Sequence, residues 1–142
     1  MESGSLHLGS YADRMLLAGR TTGGHVLCLL IICHDDSFVP SESLVAEIHG
    51  WGRDMERRGI RRYGQPLRPP SDAVTVRVRE GAPVLTDGPF ADTAEQMAAY
   101  ELLECADLEE AVGLASTHPM AKAGTIEVRP VWEELTDPTG RG

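Results

Sequence analysis

Aromatic side chains are scarce in this chain. Phe, Trp and Tyr make up 5% of it, so a core must rest on Leu, Val, Ile and Ala. Positive charge is short as well. Thirteen Lys and Arg stand against 22 Asp and Glu, a formal net charge of -9 at pH 7. That balance repels phosphate backbones and anionic lipid surfaces, so neither nucleic acid nor a membrane is an expected partner. Cysteine is limited to Cys28, Cys33 and Cys105. An odd count without Cys-x-x-Cys spacing gives neither a disulfide framework nor a zinc site, and no metal is expected. Long apolar runs are missing too. The longest, Val26 to Cys33, is far below the ~20 residues of a membrane span. His34-Asp35-Asp36 follow it where a signal peptide would carry small residues. No phosphate loop, dinucleotide fingerprint or nucleophile elbow occurs, so no cofactor is expected. The expectation is a cytoplasmic protein with reduced thiols.

What is present fits one domain of 142 residues, large enough for a core of its own. Residues 1–24 are rich in Gly, Ser and Thr and read as a flexible N-terminal extension, and residues 135–142 as a similar tail. Residues 25–134 carry the pattern of a folded domain. Val26 to Cys33 is uncharged throughout, as in a strand covered on both faces. Cys28 and Cys33 lie five positions apart, so they point to opposite faces and cannot bridge. Ser41 or Ser43 caps a helix whose Leu44, Ile48, Trp51 and Met55 form one apolar stripe ending at Gly59. Ile60 to Leu67 is a modest strand interrupted by Gly64. Val74, Val76 and Val78 alternate with polar residues, and Glu80-Gly81 turns the chain back into Pro83 to Thr86 as a hairpin. Met97 to Glu104 is a further strand. Asp107 with Glu110 forms a capping box for a helix ending before Pro119. Thr125 to Trp132 is the last strand, with Ile126, Val128, Pro130 and Trp132 expected on one side.

With the hairpin of residues 74–86 set aside as an insertion, the order is β-α-β-β-α-β. That is an α+β, ferredoxin-like arrangement. Its first strand is central, and two helices cover one face only. The apolar first strand must bury its other face as well, which predicts a homodimer joined sheet to sheet. The competing arrangement folds the hairpin or the N-terminal extension over that face.

Three segments carry a resemblance: LRPPSDAVTVR at residues 67–77, VTVRVREGAPVLTDGPFADT at 74–93 and IEVRPVWE at 126–133. Centred on Thr86-Asp87-Gly88-Pro89-Phe90, they resemble the DGPF branch of the bacterial YCII-related family over residues 25–134. The resemblance implies a dimeric α+β barrel of two ferredoxin-like units. It also implies a gene neighbourhood shared with extracytoplasmic-function sigma factors, and for some YCII-related proteins a His and Asp pair.

Two candidate catalytic residues follow. Asp87, beside apolar Pro89 and Phe90, is a candidate general acid or base, and His49, off the apolar stripe of its helix, is a candidate partner in proton transfer. The competing readings are an Asp-Gly turn and a surface histidine. Phe90, Arg77 and Arg129 are the candidates for holding a ligand, the arginines through bidentate contacts with an anion. His34-Asp35-Asp36 reads as a polar strand exit, because adjacent residues on an extended chain diverge. His118 reads as a helix-end histidine favoured by the dipole. The function expected is that of a cofactor-free enzyme or binding protein for a small organic molecule. The alternative is a regulatory module that docks a sigma factor.

Overall fold

The computed structural model describes Ser10 and residues 25–136. Its main sheet has four antiparallel strands. Strand β1 is Val26–His34, β2 is Arg61–Pro66, β5 is Gln96–Cys105 and β6 is Thr125–Pro130. They lie in the order β2-β5-β1-β6. That is the order expected of a β-α-β-β-α-β chain once the hairpin of β3 (Val74–Arg79) and β4 (Ala82–Asp87) is left out. The hairpin forms a separate two-stranded sheet. Its turn is made by Glu80 at φ 53 and Gly81 at φ 78, the left-handed pair that a tight hairpin requires.

Helix α1 (Glu42–Arg57) starts at Ser41, whose side chain accepts the N–H of Leu44; such a cap contributes about 1 kcal/mol. Helix α2 (Leu108–Thr117) starts at Asp107, which accepts the N–H of Glu110, while Glu110 reaches back to the N–H of Ala106. A short helix α3 (Met120–Ala123) leads into β6. The core joins one sheet face to the helices. Cys28, Leu30, Leu103 and Cys105 meet Trp51 and Met55 of α1 and Ala111, Leu114 and Ala115 of α2. Burial pushes the Cys28 thiol up to about 11 and the Cys105 thiol up to about 12, so both behave as apolar filler.

Three expectations change. On β1 only the alternate residues Cys28, Leu30 and Ile32 are buried, and Leu27, Leu29 and Ile31 stay half-buried on the other face. The last strand stops at Pro130. Beyond it the N–H of Val131 still bonds the Leu27 carbonyl, but Trp132 leaves the row of Ile126 and Val128 and is largely exposed. The hairpin is also more open than its alternation suggested. Val74, Val76, Val78 and Leu85 share an apolar face that remains exposed. No helix is long and apolar enough to cross a membrane among the described residues, and they contain no cluster of metal-ligating side chains.

Candidate functional site

A cleft of about 760 Å³ opens between α1, the β2–β5 side of the sheet and the junction of α2 with α3. Ile32 and Ala99 line it from the sheet, Ile48 and His49 from α1, and His118 and Met120 from the helix junction. The polar groups that matter most are Glu101, His118 and Arg61, all three of which line this space.

Strand register places Glu101. It stands opposite Leu30 of β1 and Gly64 of β2, in phase with buried Leu103 and Cys105, and is itself buried at 7% exposure. A buried carboxylate needs a partner, and Arg61 supplies it through Nε at 2.7 Å from Oε1. Two irregularities make this pairing possible. Arg61 pairs with Leu103 and Tyr63 with Leu102, so Arg62 is an extra residue in β2. Because side chains alternate, residues 61 and 64 would otherwise face opposite ways; the bulge puts both on the helix face. At residue 64, a Cβ would run into the Glu101 carboxylate and lie 2.6 Å from the Tyr100 carbonyl, so only glycine leaves room. The Gly64 carbonyl accepts from Arg61 Nη2 at 2.8 Å, and Arg61 Nη1 meets Glu56 at the surface. Burial holds the Glu101 carboxyl above the ordinary carboxylate range, against the opposing pull of the Arg61 guanidinium.

His118 follows α2 directly and is 2% exposed. Its ring lies edge-on to Trp51, with centroids 4.5 Å apart, and Trp51 is tied in turn to Thr117 by an indole N–H bond of 2.9 Å. The Met120 N–H approaches His118 Nδ1 at 3.0 Å. A backbone N–H can only donate, so Nδ1 is the acceptor and the ring proton sits on Nε2. Burial lowers the His118 pKa to about 4, so the imidazole is neutral near pH 7. Among the described residues Nε2 has no hydrogen-bond partner, and it lies 4.0 Å from Glu101 Oε2, too far for a direct bond. His118 does stand at the end of α2, as its C-cap, but a buried neutral ring gains little from the dipole.

The residues singled out from the sequence fall in several places. His49 is an exposed residue of α1 and lines the cleft. Asp87 is exposed at the end of β4, outside the cleft lining. Arg77 is half-buried on the hairpin and Phe90 is exposed beyond it. Arg129 pairs with Glu127 along β6. His49 therefore lines the same cleft as Glu101 and His118, whereas Asp87 and the three ligand candidates do not. Asp35 of the His34-Asp35-Asp36 run accepts from the hydroxyl and N–H of Ser37, the behaviour of a strand exit. Glu101 had a legible signal, a lone carboxylate in phase with Ala99, Leu103 and Cys105. Arg61 had none, because the bulge hides its face.

A family model described as the YCII-related domain matches residues 12–135. An uncharacterized protein of Rhizobium meliloti (strain 1021) is 30% identical over 110 residues, covering 71% of this chain and 89% of the relative.

Proposed function

The chain belongs to the YCII-related domain family, and from that premise we propose that it binds a small organic molecule in the cleft beside Glu101 and His118, with proton transfer as the chemistry those two groups offer. One observation carries the reading: a buried imidazole N–H without a partner among the described residues, on a side chain that lines a cleft, beside a buried carboxylate. An orphaned buried donor costs about 1–3 kcal/mol. A fold keeps such a group where something else satisfies it. Arg61 fixes the carboxylate, and the Met120 N–H together with Trp51 fixes the ring, so both arrive in place without reorganisation. His49, on the cleft wall contributed by α1, is the nearest of the sequence candidates to this role.

The same reading closes the sheet's open face with a second copy, forming a dimeric α+β barrel. Support comes from Leu27, Leu29 and Ile31 on β1 and Leu102 on β5, half-buried on the face opposite the helical core.

A small-fragment screen by nitrogen–proton NMR on the full chain tests the binding site. The Trp51 indole N–H is the reporter, because its ring touches His118. Hits are expected to shift that resonance together with the amides of Gly64, Glu101 and Met120. Hits confined to the hairpin of β3 and β4 would move the site elsewhere.

A further inference from the structure

We infer that the group held between His118 and Glu101 is a hydroxyl, so that the cleft selects neutral, hydroxyl-bearing molecules with an apolar body. The inference rests on the cleft's being a small-molecule site and adds the ligand's chemical class. It follows from the two facing atoms. His118 Nε2 carries a hydrogen, because Nδ1 is engaged by the Met120 N–H; it can therefore only donate. Glu101 Oε2 belongs to a carboxylate whose other oxygen is held by Arg61; an ionised carboxylate only accepts.

An occupant of the space between them needs both a lone pair and a hydrogen on one atom. A carbonyl or carboxylate oxygen would satisfy His118 but face the Glu101 oxygen with a like charge. An ammonium would satisfy Glu101 but oppose the imidazole N–H. A hydroxyl does both at once. Spacing agrees: two hydrogen bonds of about 2.8 Å reaching atoms 4.0 Å apart meet at about 90°, within the range a hydroxyl oxygen accommodates. Ile32, Val45, Ile48 and Met120 supply apolar wall for the body of such a ligand, beside a polar side that carries Arg53, Glu56, Arg62 and Gln65.

The test is a ligand series on one frame, titrated into the full chain at pH 7 and followed through the Trp51 indole N–H: 4-ethylphenol, its methyl ether 4-ethylanisole, and 4-ethylbenzoate. The phenol is expected to bind roughly tenfold or more tightly than the ether, which accepts but cannot donate. It is expected to exceed the carboxylate by a similar factor. Equal binding of phenol and ether in the cleft would overturn the hydroxyl assignment and leave a water between the two residues, with the cleft still a small-molecule site. Preference for the carboxylate would overturn it in the same way. If no member of the series shifts the cleft resonances while a broader fragment screen still finds ligands there, the hydroxyl inference alone falls. If neither finds a ligand, the small-molecule reading falls with it.

Discussion

His118 concentrates the chemistry of this protein in one ring. Its folded pKa of about 4 lies below the ordinary 6.5, so an unfolded chain takes up a proton at a pH where the folded chain does not. The stability that comes from keeping the ring neutral is present above pH 6.5. It is lost as the pH falls toward 4, by on the order of 3 kcal/mol. Glu101 acts in the opposite sense. Its raised pKa favours the folded state as its carboxyl protonates, which offsets part of the loss at the acid end of the range. Urea unfolding of the wild type and of His118→Gln between pH 7 and pH 4.5 separates the two. The wild type is expected to lose stability more steeply, and parallel curves would mean that the ring is not buried neutral. Nitrogen shifts of the imidazole should show the Nε2–H form throughout that range.

At the scale of elements, β2 is where a short stretch of sequence decides the site. The Arg62 bulge turns Arg61 toward Glu101, and Gly64 leaves the space the carboxylate fills. Gly64→Ala is expected to cost about 3 kcal/mol, because neither the Tyr100 carbonyl nor the paired Glu101 can move away. An unchanged urea midpoint would show that β5 yields instead. The same strand shows how far the sequence could be read. Local signals located the strands and the two long helices of the described residues: the apolar run of β1, the alternation of β3, the Glu80-Gly81 turn into β4 and the stripe of Leu44, Ile48, Trp51 and Met55. Gly64 was visible only as an interruption. A bulge depends on a partner strand some forty residues away along the chain, and no local pattern encodes it. For the same reason His118 read only as a helix end. Its burial depends on Trp51 of α1, far away in sequence. Asp87 drew attention as part of a recognisable motif, yet the structure sets it on an exposed hairpin.

For the whole molecule, the open face of the sheet is the feature with the largest consequence. Ile31 lies at its centre, opposite Tyr100 of β5 and Glu127 of β6. If a second copy covers this face, light scattering should give twice the chain mass of 15.4 kDa. Ile31→Glu should return the protein to a monomer, since it would stand opposite Glu127 and leave an unpaired charge on the covered face, which costs several kcal/mol. A wild type that elutes as a monomer at micromolar concentration would remove the dimer. The strand order also carries a consequence in time. β1 is complete at His34, yet its two neighbours begin only at Gln96 and Thr125. On the ribosome, at roughly 5–20 residues per second, the most apolar strand waits several seconds for its first partner and longer for its second. Throughout that interval Val26 to Cys33 is an unpaired adhesive edge, so the nascent chain, rather than the finished protein, is the form most exposed to misassociation and most dependent on chaperones.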